Sequence, residues 1–338
     1  MNLSECAETR ENNLNVIRFI AAVLVIYCHS FPLTANGSDY LGRITGGQID
    51  CGGLAVSLFF FYGGFLICKS MFRLQTAKCF FKARLTRIIP PLALVTCVLT
   101  FIVGPLFTTY SATKYFSDGN TYKYLLNSVF VLVHELPGVF SSNSYGATVN
   151  GSLWTLPVEF LCYIMCYVLY RFQMLRKKRL KWIAILAVLL YAIAHNILGG
   201  VLIGAALKPA MLFFVGICCY VYREYIPINH TYALVAGIGC IAGAWLGIFN
   251  VIIFVCFTYV LLWTAFGMKH KWSTFGTKFE LSYGIYLVGF PIQQILCDLT
   301  GNQISQQWNF FVAVVISVFL GFPIAMFEKV SKKIMENV

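Results

Sequence analysis

Two ionisable residues lie within one apolar stretch near the start of the sequence. Residues 15–30 read NVIRFIAAVLVIYCHS, with Arg18 close to one end and His29 close to the other. In an α-helix this spacing places both side chains on nearly the same face, about 16 Å apart along the axis. An ionisable side chain within a membrane-spanning helix is costly, so it normally faces the protein interior or a wet cavity. The pair therefore indicates a functional site, although each residue alone also fits a snorkelling arginine or a histidine that bonds a carbonyl.

Two arginines precede a second apolar stretch. Residues 82–91 read KARLTRIIPP, and Arg84 and Arg87 share a face wherever a helix extends over them. Guanidinium groups suit the binding of phosphate because their donors match its oxygens in a planar fork. The alternative is that both residues are positive anchors at the cytoplasmic side of a membrane helix.

A carboxylate lies within a further apolar stretch. Residues 150–163 read NGSLWTLPVEFLCY, which places Glu159 about two helical turns, or about 9 Å, inside the membrane. A carboxylate at that depth needs a partner. His29 is expected at a comparable depth and is one predicted partner, and a hydroxyl or tyrosine of a neighbouring helix is the alternative. By contrast, Gln293 and Gln294 are predicted to bond across helices as packing groups.

The composition indicates that these stretches cross a membrane. Of the 338 residues, 59% are hydrophobic and only 11% are charged, whereas soluble proteins carry about a quarter charged residues. The net charge of +12 does not indicate nucleic-acid binding, because Lys and Arg lie in short blocks between apolar runs. The thirteen cysteines show neither metal-ligand spacing nor a disulfide framework, and we interpret them as small buried hydrophobes. We predict no bound metal and no bound cofactor.

The predicted fold is an all-α bundle of about ten transmembrane helices, forming one domain over residues 1–338. Placing both termini in the cytoplasm leaves twenty Lys and Arg residues inside and four outside, which is the asymmetry expected of a membrane protein. The longest loop, 110–151, then lies outside, and its polar composition suits a surface that receives a polar ligand. The predicted spans are 14–32, 52–69, 88–108, 153–171, 181–197, 207–222, 231–248, 250–267, 281–299 and 308–328.

Five segments, each present once, follow one another along the chain in a characteristic order. They are Arg18 with His29, VSLFFFYGGFLI at 56–67, RLTRIIPP at 84–91, SLWTLPVEF at 152–160 and LSYGIYL at 281–287. Together they resemble the acyltransferase-3 family of integral-membrane acyltransferases, over nearly the whole chain. Each segment alone is weakly specific, but five in register are specific.

The sequence departs from this family at two places. The usual Ser-Gly of the second helix reads Gly63-Gly64, and the histidine that many members carry two residues before the ninth-helix proline is Gly289. A role for that histidine is therefore not transferred. The chain is also expected to lack the extracytoplasmic hydrolase-like domain that some members append.

The resemblance implies transfer of an acyl group, most often acetyl from acetyl-CoA, to a hydroxyl of a surface or lipid-linked glycan. The expected partners are an acyl-CoA co-substrate, a glycan or lipid-linked saccharide acceptor and membrane lipids, in a bacterial inner membrane. His29 is the candidate general base or, alternatively, a transient acyl carrier, and Glu159 would orient or stabilise its imidazole. Arg84 and Arg87 would hold the donor phosphates, and Arg18 would steer the donor or compensate charge.

A transporter or flippase is the rival interpretation, because ten spans with buried charges also fit a carrier. Against it, no inverted repeat is evident and the charges cluster in the first four spans. A subunit without chemistry is a third interpretation, favoured only by the missing ninth-helix histidine. The sequence does not specify the glycan, the acylated position or the oligomeric state.

Overall fold

A computed structural model describes residues 2–8, 11–197, 203–268 and 272–336. Within these ranges the secondary structure is helical, apart from three isolated β-bridges, so the predicted all-helical class is confirmed. Six of the helices are long and apolar enough to cross a membrane. Arg10, Lys269 and Lys271, which contribute to the predicted charge asymmetry, lie outside the described residues. The long helices are α1 Leu14–Leu33, α2 Cys51–Leu74, α3 Ala77–Phe107, α4 Thr155–Arg171, α5 Lys177–Ile197, α6 Ile203–Val221, α7 His230–Trp245, α8 Phe249–Gly267, α9 Ser282–Leu299 and α10 Gln306–Glu336.

Helix α3 begins earlier than its predicted span. Thr76 caps it by accepting a hydrogen bond from the backbone N–H of Cys79, so the helix starts at Ala77 instead of near residue 88. Arg84 and Arg87 therefore lie within the helix, on a fixed face, and are not at its beginning. Pro90 and Pro91 lie inside the helix without ending it.

Hydrogen bonds to Gln294 attach the polar loop 110–151 to helix α9. The Asn143 amide donates to Oε1 of Gln294 at 2.9 Å, and the Gln294 amide donates in turn to the Thr148 carbonyl at 2.7 Å. The neighbouring residue Gln293 donates to Oδ1 of Asn309 on α10 at 2.9 Å. The predicted bonding across helices is therefore confirmed for Gln293, whereas Gln294 bonds to the loop.

Helices α2 and α6 cross in backbone contact. A Cβ atom built on Gly64 would lie 1.9 Å from the carbonyl oxygen of Phe213, and one built on Gly216 would lie 2.1 Å from the carbonyl oxygen of Phe61. Because both obstacles are backbone atoms, neither helix can yield by a side-chain rotation. The two glycines therefore fix how closely α6 approaches α2.

We predict that Gly64→Ala destabilises the protein by roughly 1–3 kcal/mol, as overpacking of a close contact does. Thermal unfolding of the purified protein in detergent measures this loss. Gly237→Ala is the matched control, since a Cβ at this helical glycine of α7 meets nothing within 4 Å. Equal unfolding midpoints for the two variants would contradict the close crossing.

Candidate active site

Three arginines line a cavity between the first helices of the bundle, which we call the inner cavity. Arg18 reaches it from α1, and Arg84 and Arg87 reach it from α3. Glu159 on α4 and Tyr286 on α9 are among its other polar lining residues, and apolar residues of α2 form much of the remainder. The sequence prediction that Arg84 and Arg87 share one helix face is confirmed.

Two of these arginines already have carboxylate partners. Glu280, just before α9, pairs with Arg18 at 3.3 Å and with Arg87 at 2.5 Å. Glu328 on α10 adds a weaker contact to Nε of Arg87 at 3.7 Å. Burial opposes ionisation of the Glu280 carboxyl, but Arg18 and Arg87 outweigh it, so the pKa of Glu280 is lowered from its ordinary value.

Arg84 differs from the other two arginines in having no carboxylate partner among the described residues and a buried donor without a partner. Its terminal nitrogen donates to the hydroxyl of Ser70 at 3.0 Å. Its buried Nε has no hydrogen-bond partner among the described residues. A buried donor without a partner is costly, so a ligand acceptor such as a phosphate oxygen would complete this group.

Glu159 does not pair with His29, contrary to the sequence expectation. Its carboxylate accepts a hydrogen bond from the hydroxyl of Tyr163, one turn further along α4, and it faces the inner cavity. His29 lines a different cavity. The physical reason is local: Tyr163 lies four residues after Glu159 on the same face of α4, so its hydroxyl reaches the carboxylate. The observed partner is a tyrosine, but it belongs to the same helix and not to a neighbouring helix, as the alternative expected.

His29 faces a second cavity, which we call the outer cavity and which lies towards the carboxyl end of α1. Ser152, Trp154 and Lys208 also line it, and the Lys208 ammonium donates to Oδ1 of Asn250 at 2.7 Å. The imidazole meets the ring of Phe290 edge-on, at 5.1 Å between centroids. Its Nδ1 has no hydrogen-bond partner among the described residues. The histidine is therefore held by packing, and its Nδ1 makes no bond to the described residues.

The two cavities share a wall. Val56 of α2 and Tyr286 of α9 line both of them. The Tyr286 hydroxyl bonds to Oγ1 of Thr155 at 2.6 Å and donates to the carbonyl of Ser152 at 2.6 Å. Arg18 and His29, on one face of α1, thus line two different cavities that have Val56 and Tyr286 in common.

Sequence reasoning missed three charged residues of this region. Glu280 directly precedes the segment LSYGIYL, whose residues alone were singled out in the sequence. Its partner Arg18 is 262 residues away. Glu328 and Lys208 look like ordinary charges beside apolar runs. One signal could have indicated the two glutamates: Asp and Glu are rare in the apolar parts of the chain, and a carboxylate there requires a cation as its partner.

Comparison with known proteins identifies the family of the chain. Residues 11–327 match the family described as an acyltransferase domain, which is acyltransferase-3. The chain belongs to the acyltransferase-3 family. It is similar to the O-acetyl transferase of Shigella phage Sf6, with 29% identity over 306 residues and 86% of each chain covered. It is also similar to nodulation protein 10 of Rhizobium leguminosarum bv. viciae, with 27% identity over 165 residues, 48% of this chain and 44% of that protein. No solved structure matches the chain.

Membership of the acyltransferase-3 family makes the chain an acyltransferase, as the resemblance implied. The structure also gives a physical reason for one departure from the family pattern. A Cβ at Gly289 would lie 2.7 Å from Cγ1 of Ile26 on α1. Helix α1 therefore packs against α9 where many family members carry a histidine.

We predict that Glu280→Gln lowers the free energy of unfolding by roughly 1–3 kcal/mol at neutral pH, because Arg18 and Arg87 lose their shared counter-charge. Thermal unfolding across a pH series measures it. Since the pKa of Glu280 is lowered, the difference from the unsubstituted protein should shrink as the pH falls below about 4.3.

The control for this variant is Glu224→Gln. Glu224 pairs with Lys177 at 2.6 Å, but both side chains are well exposed, so the midpoint should not move measurably. A shift equal to that of Glu280→Gln, or one independent of pH, would contradict the proposed charge balance.

Proposed function

We propose that this acyltransferase moves an acetyl or similar short acyl group from a cytoplasmic acyl-CoA to a hydroxyl of a surface or lipid-linked glycan. The observation that carries the proposal is the pair of cavities on either side of Val56 and Tyr286, one lined by arginines and the other by a histidine. The similarity to a protein named O-acetyl transferase supports an oxygen acceptor.

The inner cavity suits the donor. The phosphates of acyl-CoA would bind the arginine cluster, with the unpartnered Nε of Arg84 as the first contact. Glu280 holds Arg18 and Arg87 in place through ion pairs, so these guanidinium groups are oriented before the donor binds. Glu159 faces the same cavity and would balance the positive charge of the cluster.

The outer cavity suits the acceptor. A sugar hydroxyl is a weak nucleophile and needs a base to take its proton as it attacks the thioester. His29 is the candidate base because its imidazole lines this cavity and its Nδ1 is not used by the protein. Trp154 and Lys208 offer an aromatic face and a cation to the saccharide. An acyl-histidine route through the same nitrogen is the alternative.

We further propose that all ten long helices span the membrane, with both termini in the cytoplasm, in a bacterial inner membrane. The support is that helices lie at every predicted span and that six of them meet the length and apolarity needed. The twenty-to-four distribution of Lys and Arg sets the orientation. The arginine cavity then opens on the side that holds acyl-CoA.

The function is tested by adding acetyl-CoA labelled in the acetyl group to membranes that contain the protein and a lipid-linked glycan. We expect label on the glycan in an ester that mild base removes. Label that crosses into sealed vesicles without forming an ester would instead indicate a transporter. Membranes that neither esterify nor take up label would indicate a subunit without chemistry.

We predict that His29→Ala lowers acyl transfer about a hundredfold to ten-thousandfold, the usual effect of losing a positioned base. The variant should insert and accumulate normally, because Nδ1 has no protein partner to lose and alanine favours a helix. The measurement is transfer per quantity of inserted protein. His134→Ala, at an exposed position of the polar loop, is the control. Near-normal turnover in His29→Ala would exclude the mechanism.

We predict that Glu159→Gln also impairs transfer and that its effect multiplies with that of His29→Ala. Glu159 and His29 line different cavities, so neither variant should abolish the contribution of the other. The double variant, assayed beside both single variants, measures this. A double variant no worse than His29→Ala would show that the two residues act as one unit despite their separation.

We predict that Ser117→Cys reacts with a membrane-impermeant maleimide in intact cells and that Gln173→Cys does not. Both positions are exposed, and they lie on opposite sides of the proposed topology. The unsubstituted chain, with its thirteen cysteines, gives the background. Labelling at residue 173 with protection at residue 117 would invert the orientation.

A further inference from the structure

Ser152 presents a hydroxyl that the protein itself does not use. The residue is 2% exposed and lines the outer cavity together with His29. Its Oγ has no hydrogen-bond partner among the described residues. By contrast, Ser57, which lines the same cavity, donates its hydroxyl to the carbonyl of Gly53 within its own helix, at 2.6 Å. Buried hydroxyls normally find such partners, so Ser152 is an exception that requires an explanation.

The backbone of Ser152 is held firmly while its side chain stays free. Oδ1 of Asn150 accepts from the Ser152 N–H at 3.1 Å, and the Asn150 amide donates to the carbonyl of Leu287 at 2.9 Å. The Ser152 carbonyl accepts from the Tyr286 hydroxyl, which is in turn bonded to Thr155. The turn is therefore anchored to α9 on both sides of the serine. Because the backbone is fixed, the Ser152 side chain is held in place at the cavity while its hydroxyl is available to an acceptor that arrives with a substrate.

The position of Ser152 points to one particular acceptor. Its carbonyl is bonded to Tyr286, a residue of the wall between the cavities, and Ser152 lines the outer cavity, on the histidine side of that wall, but not the inner one. A thioester that comes from the inner cavity must bring its carbonyl to this wall before a hydroxyl activated by His29 can attack it.

We propose that the Ser152 hydroxyl donates a hydrogen bond to the thioester carbonyl oxygen and to the oxyanion formed from it, an inference that rests on the proposed function. The acceptor oxygen forms a bond to the carbonyl carbon, the C=O π electrons move to the carbonyl oxygen, and the hydroxyl proton passes to His29. The oxyanion then re-forms the C=O bond as the C–S bond breaks, and the departing thiolate takes the proton from the imidazolium. The Ser152 proton stays on Oγ throughout and stabilises the negative oxygen. If His29 carries the acyl group instead, the same oxyanion arises twice and the same donor serves it.

The test is steady-state kinetics of Ser152→Ala, with donor and acceptor varied in turn. Loss of one oxyanion donor typically lowers kcat about a hundredfold to a thousandfold. We expect that loss with both KM values within about twofold of the unsubstituted protein, because the bond strengthens in the transition state. Ser152→Thr, which keeps the hydroxyl, should recover part of the rate.

Ser317→Ala is the matched control. Ser317 on α10 is also fully buried with an unpartnered Oγ, but it lines neither cavity. Both alanine variants remove a hydroxyl without a protein partner, so both should unfold at or above the midpoint of the unsubstituted protein. Only Ser152→Ala should lose turnover.

Three results would overturn the proposal. Unimpaired kcat in Ser152→Ala would remove the oxyanion role, and a raised acceptor KM at unchanged kcat would make the hydroxyl a saccharide contact. Instability of Ser152→Ala relative to Ser317→Ala would make it structural. If the unsubstituted protein transferred no acyl group at all, the proposed function would fall and this inference with it, so the two failures are distinguished by the unsubstituted protein.

Discussion

Charge that is removed from water must be balanced, and one carboxylate does most of that balancing in this bundle. Glu280 binds Arg18 of α1 and Arg87 of α3 from the segment that leads into α9, and Glu328 of α10 approaches Arg87 as well. The ion pairs therefore draw four helices together at one end of the molecule. Because each partner comes from a different helix, loss of the carboxylate would leave like charges facing each other in a partly buried space. The inner cavity exists where these helices converge, so the donor site and the stability of the bundle depend on the same contacts.

The wall between the two cavities separates two different tasks. On the inner side lie guanidinium groups, which the proposed function assigns to an anionic donor, and on the outer side an imidazole is held by packing with an unpartnered Nδ1. The hydrogen bonds from Thr155 through Tyr286 to the Ser152 carbonyl tie the wall to the turn before α4. In the proposed function this wall would keep water from the thioester, and the acyl group would meet the base at the wall. The same turn would thus position both the barrier and the group that stabilises the reacting oxygen.

Much of the fold could be predicted from the sequence, because apolar length and charge placement are local signals. The spacing of Arg18 and His29 within one apolar run was enough to place both on an interior face, and the structure confirms that each lines a cavity. The pairing of charges could not be predicted in the same way. Glu280 meets Arg18 across 262 residues, and no periodicity within either segment indicates which carboxylate meets which cation. The expected pairing of Glu159 with His29 was wrong because comparable depth in a membrane says nothing about direction, and Glu159 faces the inner cavity, where the Tyr163 hydroxyl of its own helix reaches it.

Gly289 allows helices α1 and α9 to approach closely, and this close approach affects the surroundings of His29. At Gly289 the chain lacks a side chain where α1 and α9 touch, and Ile26 occupies the space that a Cβ would need. Three residues along α1, the imidazole of His29 consequently meets the ring edge of Phe290. Here the close contact leaves His29 with an aromatic neighbour and no observed hydrogen-bond partner for Nδ1 among the described residues. The imidazole therefore lines the outer cavity in an orientation fixed by packing, and Asp50 and Lys208 are further charged residues of that lining.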